Sequence, residues 1–300
     1  MSSQQRIQQI LDLKKEKKAI ILAHVYQELE IQDIADFVGD SLGLSKKAMK
    51  TDAKTIVFCG VSFMAETAYI LNPEKTVLLP EKTAGCTLAD MATVKQLREM
   101  KKKHPHAAVV SYVNSTAEIK AESDICCTSA NAVTIVDSLD QDEILFLPDK
   151  NLGSYVAEQT DKHIILWNGY CSVHEHIRPE TIQNLKKQHP NAEVIAHPEC
   201  NPDVRALSDM IGSTSKMASY VSTSESAEFI VATEDNFIHH VQTKNPTKTF
   251  YPVGTICTGM RKINLETLYQ SFLEERYKVS LPEGIRQKAK KALDAMMEVS

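Results

Sequence analysis

"KKHPHAAVVSYVNS" at residues 102–115 and "KQHPNAEVIAHPEC" at residues 187–200 are two copies of one pattern, 85 residues apart. In each, a His-Pro pair is followed by an alanine and a run of β-branched residues. An offset of 88 in the other direction brings residues 107–110 onto "AIIL" at 19–22, which leads into "AHVYQ" at 23–27. The alignment continues through "DFVGDS" (36–41), "DICCTS" (124–129) and "DMIGST" (209–214). It continues again through "IVF" (56–58), "ILF" (144–146) and "FIV" (229–231), and a last strand follows at 76–79, 163–166 and 249–252. Each copy therefore reads strand, helix, short strand, helix, strand, helix, strand. Short apolar strands alternating with helical patterns specify parallel sheets covered on both faces. The expected fold is α/β, with three homologous αβα, Rossmann-like units around a pseudo-threefold axis. Their expected bounds are 1–84, 85–170 and 171–262, with the helices of 263–300 packing back on the first.

With 300 residues and 43% hydrophobic content, the chain can bury a large core. A net charge of -5 and a pI near 6.1 imply no basic face for nucleic acid. No apolar stretch has the length of a membrane span and the polar start is no signal peptide, so a cytoplasmic protein is expected. Seven cysteines in a reducing compartment are buried thiols, reactive thiols or metal ligands rather than staples. Neither a dinucleotide-binding glycine fingerprint nor a P-loop is present.

The repeat singles out three sets of residues. His24, Tyr112 and His197 end the first strand of each copy, and Tyr26, Asn114 and Glu199 lie two residues on. A single buried histidine there reads more readily as core than as functional. Polar residues at that place in all three copies do not, because ligands of open α/β sheets bind outside the carboxyl ends of strands. Ser41, Ser129 and Thr214 each follow an Asp-started strand and precede helix-type sequence, which makes them candidate N-caps. Three helix starts brought together would attract an anion through backbone N–H groups and dipoles.

Cys86, Cys171 and Cys257, spaced by 85 and 86, each fall shortly after the fourth strand of a copy. Around a threefold axis their loops would deliver three thiolates to one point. Three thiolates suit a [4Fe–4S] cluster with one iron left open to substrate. Zinc on three cysteines with a water in the open position is the competing arrangement. Cys59 reads as core, and of Cys126 and Cys127 one reads as buried and the other as facing the opposite layer. Cys200 is the most plausible decoy ligand. His174 and His176 in "CSVHEH" have no counterparts in the other copies and read as structural.

"AHVYQ", "YVNSTAE", "TSANA", "PDKNLG", "WNGYCSVH", "AHPEC" and "GST", with the three dispersed cysteines, closely resemble the quinolinate synthase family over about residues 19–262. The resemblance implies three αβα domains around a central [4Fe–4S] cluster held by Cys86, Cys171 and Cys257. It implies condensation of iminoaspartate with dihydroxyacetone phosphate to quinolinate for NAD biosynthesis, with loss of phosphate and water, downstream of an L-aspartate-oxidising enzyme. The implied substrate contacts are His24, Tyr26, Ser41, Tyr112, Val113, Asn114, Ser129, His197, Pro198, Glu199 and Thr214. Glu199 is the candidate base and Tyr26 the candidate acid, with His24 and His197 as further catalytic candidates, and Met260 is expected to line the site. The chain departs from many members at Val25, and it lacks the additional cysteines that some carry near the third ligand. A non-catalytic protein holding a small anion or zinc in the same pocket is the alternative.

Overall fold

The computed structural model describes residues 2–299. Helix α1 (Ser3–Glu16), opened by a capping box between Ser2 and Gln5, precedes the first unit. That unit runs β1 (Ala19–His24), α2 (Leu29–Ile34), β2 (Phe37–Gly39), α3 (Ser41–Lys50), β3 (Thr55–Cys59), α4 (Ser62–Leu71) and β4 (Thr76–Leu78). Helix α5 (Val94–Lys103) leads into β5 (Ala108–Tyr112), α6 (Ala117–Ala121), β6 (Ile125–Cys127), α7 (Ala132–Asp137), β7 (Glu143–Leu147), α8 (Lys150–Ala157) and β8 (His163–Leu166). After α9 (Ser172–Glu175) and α10 (Pro179–Gln188) come β9 (Glu193–Ala196), α11 (Pro202–Arg205), β10 (Met210–Ile211), α12 (Thr214–Thr223), β11 (Glu228–Ala232), α13 (Phe237–Lys244) and β12 (Thr249–Pro252). Helices α14 (Leu265–Glu274) and α15 (Glu283–Val299) close the chain.

Each unit forms a four-stranded, all-parallel sheet, and the orders are β2-β1-β3-β4, β6-β5-β7-β8 and β10-β9-β11-β12. The same register recurs: Leu22 pairs with Phe58, Val110 with Phe146 and Ile195 with Val231. Beyond the apolar runs, one aspartate fixes this arrangement in every copy. Asp36, Asp124 and Asp209 accept hydrogen bonds from the amides of Ile21, Val109 and Val194 at 2.8, 2.7 and 2.7 Å. Their own amides donate to the carbonyls of the same three residues. A charge-assisted pair of this kind locks the second strand to the first. In all three sheets, the chain reverses its direction of travel across the sheet between the first and third strands, which is where open α/β sheets bind ligands.

The C-terminal segment divides between two units. Helix α14 packs on α1, with Arg6 bound to Glu266 at 2.7 Å and stacked over the Tyr269 ring. Residues 277–279 then hydrogen-bond antiparallel to the free edge of β4. Helix α15, however, lies mainly on α6 and β6 of the second unit and also on α4. The expectation that 263–300 pack on the first unit therefore fails for α15, which buries Ala289, Ala292, Leu293 and Met296 across two units. No described helix is long and apolar enough to cross a membrane.

Candidate active site

The three first strands point their carboxyl ends into one cavity of roughly 630 Å³ of unfilled space, its mouth included. At the end of β1, His24 Nδ1 accepts the Tyr26 amide at 3.2 Å, and past β9 His197 Nδ1 accepts the Glu199 amide at 3.3 Å. Both rings are thereby held as the tautomer with the proton on Nε2, and His197 Nε2 lies 3.2 Å from Ser129 Oγ. Burial pushes both imidazoles down to about 3, against the opposing attraction of Glu199. They face a ligand as neutral N–H donors.

Tyr112, Asn114, Ser41, Ser129 and Thr214 line the same cavity, and so does Met260. The side chains of Val113 and Pro198 do not: both are buried, and Val113 borders a small adjoining void instead. The capping expectation needs correction. Asp40 caps α3 by accepting the Gly43 amide, and Ser213 caps α12 by accepting the Lys216 amide. Ser41 and Thr214 are the first helical residues, and Ser129 lies two residues before Asn131, which opens α7. Because neighbouring residues take the caps, the hydroxyls of Ser41 and Thr214 are left facing the cavity, beside the positive helix ends.

Cys86, Cys171 and Cys257 meet in this cavity. Each begins a helical turn: their carbonyls accept the amides of Asp90, Glu175 and Arg261 at 3.3, 2.9 and 3.1 Å. The same turns aim backbone N–H groups at each sulfur, from Ala89 and Leu88 to Cys86, from His174 to Cys171, and from Met260 and Gly259 to Cys257. Two glycines allow close backbone approach here, Gly259 between the first and third cysteine turns and Gly169 where the chain leading to Cys171 passes the segment after β7. A Cβ at Gly169 would collide with the Pro148 carbonyl, and one at Gly259 with the Gly85 carbonyl. Burial pushes the Cys86 thiol up to about 12 and raises the other two as well. N–H donors directed at sulfur suit metal-bound thiolates better than neutral thiols. Cys59, Cys126, Cys127 and Cys200 are fully buried in the cores, Cys126 and Cys127 as adjacent residues of β6. Among the described residues, no fourth cysteine lines the cavity. The donor set fits a [4Fe–4S] cluster with one iron free of protein thiolate.

His174 is a residue that the sequence reading set aside. Its Nδ1 lies 2.7 Å from Glu199 Oε2 and 3.2 Å from Cys171 Sγ, and its Nε2 lies 2.8 Å from Thr233 Oγ1. Thr233 Oγ1 lies in turn 2.6 Å from the Tyr26 hydroxyl. A continuous chain thus runs Tyr26–Thr233–His174–Glu199. With His174 Nδ1 donating to the carboxylate, Thr233 donates to Nε2 and Tyr26 donates to Thr233. Glu199 also receives the Tyr112 hydroxyl, and Asn114 Nδ2 reaches its Oε1 at 3.4 Å. Burial disfavours charge on Glu199, but His197, His174 and these hydrogen bonds outweigh it and hold the carboxyl below its usual range. Burial, with Glu199 nearby, keeps Tyr26 protonated far above its usual range. His176 lies outside the cavity, its Nδ1 against the Ser172 carbonyl. The repeat carries no signal for Thr233: it follows the third strand of its copy, where the other copies have Gly60 and Pro148.

A family profile described as "Quinolinate synthetase A protein" matches residues 8–298. The chain is 53% identical over 295 residues to quinolinate synthase 2 of Methanosarcina acetivorans, covering 98% of this chain and 95% of the relative. It is 56% identical over 292 residues to quinolinate synthase of Dehalococcoides mccartyi strain CBDB1, covering 97% of each. With quinolinate synthase of Clostridium perfringens strain 13, identity is 51% over 291 residues, covering 96% of this chain and 97% of the relative. A match over nearly every residue, at the sequence level of close relatives, accompanies the threefold cysteine site, and the chain belongs to the quinolinate synthase family.

Proposed function

We propose that the chain condenses iminoaspartate with dihydroxyacetone phosphate to quinolinate, releasing phosphate and water, as a step of NAD biosynthesis supplied by an L-aspartate-oxidising enzyme. The observation that carries this reading is the convergence of three cysteine turns and three strand ends on one cavity. Cys86, Cys171 and Cys257 would hold a [4Fe–4S] cluster, which supplies an open iron as Lewis acid to a substrate oxygen. The chain's own residues do the rest. The hydroxyls of Ser41, Ser129 and Thr214, with the first-turn amides of α3 and α12, bind carboxylate and phosphate oxygens. His24 and His197 add neutral N–H donors. Glu199 is the base, and the hydrogen-bonded chain extends its reach to Tyr26, which exchanges a proton with substrate. The reverse direction returns that proton to a leaving hydroxyl. Tyr26, Thr233, His174 and Glu199 are all buried, which keeps bulk water from competing for these protons.

Anaerobically reconstituted protein given both substrates is expected to form quinolinate; a brown, cluster-loaded protein that forms none would refute the reading. A single ion held by Cys171, His174 and Glu199, whose donor atoms all lie within 4.8 Å of one another, is the competing arrangement. Both nitrogens of His174 are already engaged, which weighs against it. A colourless protein carrying one zinc would favour it.

The neutral histidines make a prediction about pH. A histidine depressed to about 3 has no charge to lose between pH 6 and 8. Affinity for the phosphorylated substrate should therefore follow only the ligand's own ionisation over that range. Titration calorimetry showing affinity lost as pH rises through 6.5 would mean that the imidazoles bind as cations.

A further inference from the structure

Each cysteine turn is tied to its own unit at one repeated point. The loop after the third strand donates an amide to the carbonyl two residues before the cysteine. Ser62 donates to Ala84 at 2.8 Å, Lys150 to Gly169 at 2.7 Å and Asp235 to Thr255 at 3.0 Å. The residues just before these donors are Val61, Asp149 and Glu234, and here the threefold likeness breaks. Asp149 and Glu234 are fully buried, and a buried carboxylate must be matched by donors. Asp149 Oδ1 accepts the amides of Asn151 and Leu152 at the start of α8, both at 2.8 Å, and its Oδ2 accepts the Cys171 amide at 3.0 Å. Glu234 Oε2 accepts the amide of Asn236, which opens α13, at 2.8 Å, and its Oε1 accepts the Cys257 amide at 3.3 Å. Arg261, in the turn that Cys257 begins, brings its Nε to 3.7 Å from that same Oε1. Val61 offers the Cys86 amide no acceptor.

We propose that Asp149 and Glu234 are positioning residues for the cluster ligands, each bracing one cysteine turn against the helix that follows the third strand. The proposal rests on the [4Fe–4S] function given above. Neither carboxylate lines the cavity, so neither is placed to touch a substrate. Each acts on the metal through the backbone of a ligand. One oxygen is fixed by a helix start, and the other fixes the cysteine amide and with it the direction of the sulfur. With the repeated backbone tie, this gives the Cys171 and Cys257 turns two anchors each. Hydrogen-bond partners that orient a metal ligand in this way typically account for about 10- to 100-fold in metal affinity.

Asp149→Asn and Glu234→Gln test this with almost no change of volume. A side-chain amide has one accepting oxygen, so either the helix start or the cysteine amide then faces an NH2 group. In cluster-loaded protein held well below its Tm, a ferrous-iron chelator should extract iron about 10- to 100-fold faster from each variant than from the native chain. Glu234→Asp should stay near the native rate, because Asp149 spans the equivalent partners with an aspartate. Asp209→Asn serves as the comparison for a general loss of stability. It breaks an amide–carboxylate pair in the third unit, so it should lower Tm without speeding iron loss. Folded, loaded Asp149→Asn and Glu234→Gln that release iron at the native rate would overturn the proposal. So would an Asp209→Asn variant that loses iron as fast as they do, or a Glu234→Asp variant no better than Glu234→Gln. If Asp149→Asn does not fold, the two Glu234 variants decide alone. Native protein that takes up no cluster would overturn the function instead.

Discussion

Cys86→Ser, Cys171→Ser and Cys257→Ser should each reduce bound iron from about four atoms per chain to well below one, because thiolates are the only protein ligands in this account. The loss should be nearly complete for each single change. Each sulfur sits at the start of a separate turn with its own backbone N–H donors, and no other cysteine lines the cavity to substitute for it. Serine at these positions keeps the shape but offers a poor ligand for iron. Cys59→Ser, Cys126→Ser, Cys127→Ser and Cys200→Ser test the other side. All four side chains are fully buried in apolar cores, so a hydroxyl there costs stability, but iron content in the folded fraction should stay near that of the native protein. Iron and sulfide analysis of anaerobically reconstituted variants decides. Loss of iron in the Cys200 variant and retention in the Cys257 variant would refute the threefold site.

Tyr26→Phe should keep its iron and still bind both substrates, while quinolinate formation falls by about 10²–10⁴, the usual effect of removing a proton-transfer group. The change deletes one hydroxyl and almost no volume, so packing survives. Thr233→Val is the sharper test, since Thr233 touches Tyr26 and His174 and is not among the residues lining the cavity. It interrupts the chain at its middle and strands the Tyr26 hydroxyl and His174 Nε2 without partners. A rate at least tenfold below native is expected, with some loss of stability from the unpaired groups. A Thr233→Val enzyme turning over normally would mean that the chain is architecture and that Tyr26 exchanges its proton by another path.

The three sheets were legible because the repeat preserves both the apolar runs and the aspartate that ties the first two strands of each unit together. The cavity was legible for the same reason, since residues equivalent by repeat arrive at equivalent places around it. Where the copies differ, that logic fails. His174 was discounted because it has no counterparts, although the chemistry of a pseudo-symmetric site is itself asymmetric. Thr233 went unnoticed because its counterparts are glycine and proline. An N-cap preference for Ser and Thr does not distinguish the cap from the next residue, so the pattern at Ser41 and Thr214 points one position too late. Asp40 and Ser213 were equally good candidates one position earlier. The docking of α15 on the second unit could not be read, because an amphipathic helix shows which face is buried but not against what.

The central claim is that three protein thiolates hold four irons and leave one for substrate. Mössbauer spectra of isotopically enriched, cluster-loaded protein test it directly, with and without a small hydroxy-dicarboxylate analogue of the substrate. The account predicts that one iron in four responds to the analogue while the other three keep their parameters. Four irons that ignore the analogue, or a single-metal protein with no cluster, would contradict it.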